Sequence, residues 1–219
     1  MIGSTIGLAC ARASVDWKNF PNPQEDLVVS ADAGAQKIVL AGGCFWCTEG
    51  VFENIPGVTD VVSGYAGGSD DDADYQAVSA GTTKHAEVIE ITYDPAQTSY
   101  GQLLKIFFSI AHDPTTLNAQ GPDHGTQYRS AIFFKNDDEK RVAEAYIKQL
   151  NEAKIFADPI VTTLEPLAKF FSAEGYHQDY VRLNPNQPYV RANALPKIDK
   201  AKKVAKELAT SQPATQPAD

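Results

Sequence analysis

The sequence predicts an α+β fold: a mixed or antiparallel β-sheet layered with helices, as a ferredoxin-like two-layer sandwich with long loops. One observation behind this is the period-two alternation of Ala86–Tyr93, where Val88, Glu90 and Thr92 interleave with Ile89, Ile91 and Tyr93. Another is the helical spacing of Leu103, Leu104, Phe107, Phe108 and Ala111 within Tyr100–Ala111, stopped by Asp113-Pro114. The third is the order of the remaining signals, in which short apolar strands and amphipathic stretches follow one another at mixed spacings.

Taken in order, residues 1–35 read as an irregular arm, because Phe20-Pro21-Asn22-Pro23 and the Gln24-Glu25-Asp26 that follows suit no regular element. A strand is expected at Lys37–Ala41, then a helix over Phe45–Asn54 and strands at Val58–Ala66 and Ala86–Tyr93. The Tyr100–Ala111 helix leads to a strand at Ser130–Phe134 and a helix over Asp138–Ala153, where Asp137, Asp138 and Glu139 complement the dipole. A strand around Ile160–Leu164 and helices over Ser172–Leu183 and Ile198–Leu208 complete the body, residues 36–208. Residues 209–219 are low in complexity and expected to be a disordered tail. Two segments break the pattern. Gly64–Gly68 runs into the acidic Ser69–Asp74 and ends at Tyr75. Asn118–Tyr128 is long, polar and glycine-rich, with Asp, His, Gln and Tyr packed closely enough to suggest a site.

A chain of 219 residues that is 43% hydrophobic is long enough to bury a core without disulfide staples. Its net charge of −9 argues against nucleic acid or an anionic membrane as partner. No apolar run approaches the ~20 residues that span a bilayer. Three cysteines are too few for a secreted disulfide scaffold. Leu8-Ala9-Cys10 faintly resembles the end of a lipoprotein export signal, but a basic start and a long apolar stretch are missing. Localisation stays open between the cytoplasm and an exported or lipid-anchored form.

Gly42-Gly43-Cys44-Phe45-Trp46-Cys47 carries the most chemistry. Two glycines between a strand and a helix place Cys44 at the helix start, where unpaired N–H groups and the dipole favour a thiolate. Cys47, three residues on, can close a disulfide with it, and Phe45 and Trp46 can wall the sulfur. Half of a zinc site is the bland alternative, but the only other cysteine is Cys10 and the four histidines form no paired motif, so no metal is expected. A thioredoxin-like dithiol site is the stronger rival, although it usually has a small or proline-containing pair between its cysteines.

The ordered motifs Gly43–Glu49, Pro56–Val58, Gly64–Gly68, Tyr75–Gly81, His85–Pro95, His112–Ile132 and Ala173–Tyr180 resemble the A-type peptide methionine sulfoxide reductases. The resemblance covers about residues 36–188 and implies a fold, a reaction and a set of roles. Cys44 resembles the nucleophile that attacks the sulfoxide sulfur, and Phe45 and Trp46 the wall that receives the S-methyl group. Glu87 matches the neutral acid that protonates the sulfoxide oxygen, and Tyr75 and Tyr128 match the hydroxyls that bind it. Asp123 and His124 resemble positions that shape the pocket and hold the substrate backbone. By itself, Glu87 reads equally well as a surface strand residue, and the tyrosines as packing aromatics. The chemistry still asks for such a set, since a sulfoxide is a poor electrophile until its oxygen takes a proton. A glutamate can supply that proton near pH 7 only if burial raises its pKa from ~4.3.

The resemblance further implies specificity for the S epimer at sulfur, with no cofactor, acting on methionine sulfoxide in proteins, in peptides or free. A sulfenic acid on Cys44 would be left behind. Many relatives carry glycine at the position of Cys47 and use cysteines near the C-terminus; this chain has none there. That departure makes a Cys44–Cys47 disulfide, reduced by thioredoxin or a similar dithiol, the expected route of recycling. Cys10 is the alternative resolving thiol, and a monomer is expected.

Overall fold

A computed structural model describes residues 17–30 and 32–211. The strands and helices run in the order β1 (Gln36–Gly42), α1 (Phe45–Phe52), β2 (Val58–Ala66), α2 (Tyr75–Ser79), β3 (Ala86–Tyr93), α3 (Tyr100–Ile106), β4 (Ala119–Gln120), β5 (Asp123–His124) and β6 (Ser130–Phe134). They continue with α4 (Asp137–Glu152), β7 (Thr163–Pro166), β8 (Phe170–Ser172), α5 (Tyr180–Leu183) and α6 (Leu195–Ser211). The main sheet has the order β7-β6-β1-β3-β2-β8. Its four inner strands with α1 and α3 form a β-α-β-β-α-β unit, antiparallel throughout. This is the ferredoxin-like arrangement expected, widened by the parallel strand β7 at one edge and by β8 at the other.

The alternation within each strand sorts side chains between two layers. Ile38 and Leu40 of β1 and Ile89, Ile91 and Tyr93 of β3 join the large core under the helices. Val39, Ala41, Ala86, Val88, Ala131 and Phe133 pack on the other face, beneath Leu167 and Phe170. Helix α1 is buried nearly all round. Gly50 permits this, because a Cβ there would stand 2.7 Å from Ile198 Cδ1 of α6. Helix α3 begins at Ser99, whose side chain accepts the Gln102 N–H, and ends in one wider π turn, Phe107–Ala111. Ser109 Oγ donates to the Lys105 carbonyl of α3, and His112 Nδ1 bonds the Phe107 carbonyl. Asn136 caps α4, accepting the Glu139 N–H, as the acidic first turn suggested.

Two elements depart from expectation. Ser172–Leu183 is not a helix: it contains the end of β8, a 3-10 turn at Gly175–His177 and the single turn α5. The exposed edge of β2 outcompetes local helical spacing here. Ala173 N–H donates to the Ser63 carbonyl at 2.9 Å, and the Gln178 side chain both accepts from Ser63 N–H and donates to its carbonyl. Asp179, at φ +56°, turns the chain away. The strand expected around Ile160–Leu164 lies a few residues later, at β7, and its first part instead gives Val161 N–H to the Pro114 carbonyl.

The described part of the arm has one 3-10 turn, Trp17–Asn19, and then an extended strap. Asp26 accepts from Ser99 Oγ and from Gly101 N–H at 2.8 Å, and Asn22 accepts from Lys105 Nζ at 2.9 Å. Helix α6 continues to Ser211, into the segment expected as tail; residues 212–219 and Cys10 lie outside the described residues. Asp26→Ala is expected to lower stability by about 1–3 kcal/mol, because two donors at the start of α3 lose their acceptor. Denaturant titration checks this, with a lower midpoint and an unchanged slope as the expected outcome.

Candidate functional site

Cys44 is the residue that starts α1, and its position follows from Gly43. That glycine has φ +86°, and a Cβ on it would come within 2.5 Å of Gln120 Cγ. Only glycine satisfies both demands. Gln120 is itself locked, accepting Asp113 N–H at 3.0 Å and donating to the Asp113 carbonyl and Thr116 Oγ1. The polar loop is therefore braced against the turn that presents Cys44.

Glu87 stands on β3, its side chain on the helix-covered face with Ile89 and Ile91, and it is only 2% exposed. Its Oε2 accepts the backbone N–H of Phe45 at 3.0 Å. That N–H is one of the donors a helix start leaves unpaired. Burial pushes the carboxyl up to about 8, with Asp123 and Cys47 adding to the rise against the Phe45 hydrogen bond. It is therefore mostly neutral at pH 7 and not a surface residue.

Cys44 and Cys47 are both free thiols, 8% and 3% exposed. The depressed pKa expected for Cys44 is absent. Burial pushes that thiol well up, helped by its hydrogen bond with Cys47 and by the nearby Glu87. Cys47 is lowered, first by the same hydrogen bond and then, against the upward push of its own burial, by the charge of Lys197. In the resting site the helix dipole loses to desolvation, and Cys44 keeps its proton.

Aromatic rings form a cup beside the cysteines. Phe45 lies 5.1 Å from His177 and 5.9 Å from Tyr65 between ring centroids. Trp46 stacks on Tyr180 at 3.8 Å and donates Nε1–H to His177 Nδ1 at 3.1 Å. Tyr75 closes on His177 at 4.3 Å. Glu174 fixes this corner, accepting the Tyr75 N–H and the Tyr65 hydroxyl, each at 2.9 Å. Burial raises Tyr75 and Tyr128, and the charges of Glu87 and Cys44 reinforce both. Neither tyrosine hydroxyl makes a hydrogen bond to the described residues.

The structure thus brings together Cys44, Cys47, Phe45, Trp46, Tyr75, Glu87, Asp123 and Tyr128. His124 is exposed on β5 and takes part in none of the site's hydrogen bonds or ring contacts. Sequence reasoning missed Tyr189, whose hydroxyl meets both Cys47 and Asp123, and Glu174. His177, which the sequence alone reads equally well as a brace for the pocket or as a packed helix residue, lies in the aromatic cup. The remaining histidines are structural: His85 bonds Gly68 N–H and the Ser69 carbonyl, and His112, lowered to about 3 by burial, bonds Ser130.

A buried thiol pair at a helix start, facing a neutral acid, defines a thiol-based oxidoreductase on a ferredoxin-like scaffold. The family model "Peptide methionine sulfoxide reductase" matches residues 36–209, and the chain belongs to that family. Its activity is the reduction of methionine sulfoxide. The chain is 52% identical to peptide methionine sulfoxide reductase MsrA 2 of Mesorhizobium japonicum, over 84% of this chain and 94% of that one. It is also 52% identical to a MsrA 2 of Synechocystis, over 91% of this chain and 94% of its relative. Among solved structures, reduced Mxr1 of Saccharomyces cerevisiae superposes with a TM-score of 0.63 at 37% identity, covering 71% of this chain and 88% of that one. Methionine sulfoxide reductase A of Corynebacterium diphtheriae gives 0.59 at 34% identity, covering 76% and 84%.

A neutral Glu87 has a direct spectroscopic consequence. Infrared spectra of the resting protein are expected to hold a protonated-carboxyl band that Glu87→Gln removes, present below and lost as pH rises through about 8. A Glu87 band already absent at pH 6 would show the carboxylate to be ionised.

Proposed function

We propose that the chain reduces the S epimer of methionine sulfoxide, in proteins, in peptides and free, and so repairs oxidised proteins. Cys44 is the nucleophile. The observation that carries this reading is the neutral Glu87 carboxyl, hydrogen-bonded to the first N–H of the helix that Cys44 starts. The Phe45 and Trp46 rings receive the S-methyl group, and the hydroxyls of Tyr75 and Tyr128, without a hydrogen-bond partner among the described residues, bind the sulfoxide oxygen. Asp123, and at the rim His124, hold the substrate backbone.

Glu87 gives its proton to the oxygen while Cys44, losing its own proton, attacks sulfur. The oxygen ends on Cys44 as a sulfenic acid and methionine leaves; the substrate sulfur is reduced by two electrons and the Cys44 sulfur oxidised by two. A high thiol pKa suits this order of events, because the Cys44 proton replaces the one Glu87 has spent. Cys47 then condenses with the sulfenic acid, releasing water, and thioredoxin or a similar dithiol reduces the disulfide by exchange. The body over residues 36–208, acting as a monomer, is sufficient for this cycle.

Stoichiometry tests the cycle. Reduced protein given a stereodefined sulfoxide peptide and no reductant is expected to form one methionine per chain and lose two thiols, from the S epimer only. No methionine would overturn the reading. Cys47→Ser is expected to retain that single turnover and lose recycling by thioredoxin; full steady-state activity would remove Cys47 from the mechanism. Glu87→Gln is expected to slow methionine formation on the order of 10²-fold or more in single-turnover measurements.

A further inference from the structure

We propose that Tyr189 and Asp123 form a proton relay that deprotonates Cys47 for disulfide formation, which makes Tyr189 a further catalytic residue. The inference rests on the reading of Cys47 as the resolving thiol. Cys47 is only 3% exposed, so bulk water is poorly placed to take its proton. The structure offers another route. Cys47 Sγ donates to Tyr189 Oη at 4.0 Å, and Tyr189 Oη donates to Asp123 Oδ2 at 2.5 Å. A phenol has one proton to give, and here Asp123 holds it, so the oxygen faces the thiol as an acceptor.

The two relay residues come from different elements and meet at a cavity of about 230 Å³ that both cysteines line: Asp123 from β5 of the polar loop, Tyr189 from the helical segment that leads into α6. The edge of the Trp46 ring, 6.1 Å away between centroids, holds the Tyr189 ring in place. The titratable groups facing Cys47 are Cys44 on its own helix, Glu87 from β3, Asp113 and Asp123 from the loop, and Tyr189 and Lys197 from the C-terminal segment. Lys197 is the one cation among them, and its charge favours the Cys47 thiolate.

The step balances without an outside oxidant. The Cys47 proton passes to Tyr189 oxygen as the Tyr189 proton passes to the Asp123 carboxylate. The Cys47 sulfur attacks the Cys44 sulfur; the S–S bond forms, the S–O bond breaks, and its electron pair leaves with oxygen as hydroxide. The hydroxide takes one proton and departs as water, which matches the proton Asp123 has gained and later returns to solvent. Cys47 is oxidised as the Cys44 sulfur is reduced.

The test mixes reduced full-length protein rapidly with a methionine sulfoxide peptide and no reductant, and follows three quantities. These are methionine formed, sulfenic acid trapped by a 1,3-dione, and free thiols remaining. Tyr189→Phe keeps the ring and removes the acceptor, while Asp123→Asn keeps an oxygen for Tyr189 and removes the base. In each variant, loss of the second thiol is expected to slow on the order of 10²-fold relative to methionine formation in the same sample, with one thiol lost per methionine and sulfenic acid accumulating. Its rate is expected to keep rising with pH toward the ordinary thiol range near ~8.5. A structural role for Tyr189 would change neither that ratio nor that profile. Either variant decides the question if the other does not fold. Thiol loss with the unsubstituted protein's ratio and pH profile overturns the relay and leaves Cys47 as the resolver. An unsubstituted protein that accumulates sulfenic acid with Cys47 still free overturns the role of Cys47, and the relay with it.

Discussion

The hydrogen bond from Phe45 N–H to Glu87 joins two problems so that each solves the other. A carboxyl group placed on the covered face of β3 must be neutral or paired, because an isolated buried charge is prohibitively costly. A helix that starts inside the core leaves N–H groups without partners. Pairing the two requires β1, which delivers α1, to lie beside β3, which carries Glu87. Antiparallel pairing of Leu40 with Ile89 provides that adjacency. Much of the remaining architecture keeps the start of α1 fixed over β3: Gly43 against Gln120, Gly50 against Ile198, and the buried flanks of the helix itself.

Burial that keeps Glu87 protonated also keeps Cys44 protonated, so the site is tuned as a proton inventory more than as a preformed thiolate. The aromatic cup serves the same end by excluding water, and much of it comes from a segment of short helical turns. Between β8 and α6 the chain contributes Glu174, His177, Gln178, Tyr180 and Tyr189, each committed to a specific partner. His177 illustrates the economy of this arrangement. Its Nδ1 must lack a proton to accept the Trp46 N–H, and burial, lowering its pKa against the pull of Glu174, keeps it in that form.

Strands and helices whose patterns reflect their own burial were legible in the sequence. Ala86–Tyr93 and the stretch over Tyr100–Ala111 carry their periodicity in a few residues, and they form where that periodicity places them. The segment from Ser172 to Leu183 shows the opposite case, because its conformation is set by Ser63, more than a hundred residues earlier in the chain. No local pattern encodes such a partner. The site divides in the same way. Cys44 and Cys47 announce themselves by spacing, and Glu87, Tyr75 and Tyr128 become visible through resemblance to a family. Tyr189 follows the polar and proline residues Asn184–Pro188 at the start of a helical run, and only the fold brings it to Cys47. The thiolate expected at the helix start shows where a local rule fails: a dipole is worth roughly 0.3–1 kcal/mol at an exposed end, less than the desolvation of a nearly buried sulfur.

The same buried helix constrains what a disulfide between Cys44 and Cys47 can do. In the reduced site the Cys44 carbonyl accepts from Cys47 N–H at 3.1 Å and from Thr48 N–H at 3.4 Å, so the first turn is held by one good bond and one long one. Any adjustment needed to bring the two sulfurs to bonding distance falls first on that turn, because disulfide geometry tolerates only a narrow range of Cβ separations. Further along, the helix has little room to follow, since Gly50 already lies against Ile198 and Val51 and Phe52 are fully buried. That turn also includes Phe45, whose N–H holds Glu87, so the two thiols and the proton donor are joined by one turn of helix.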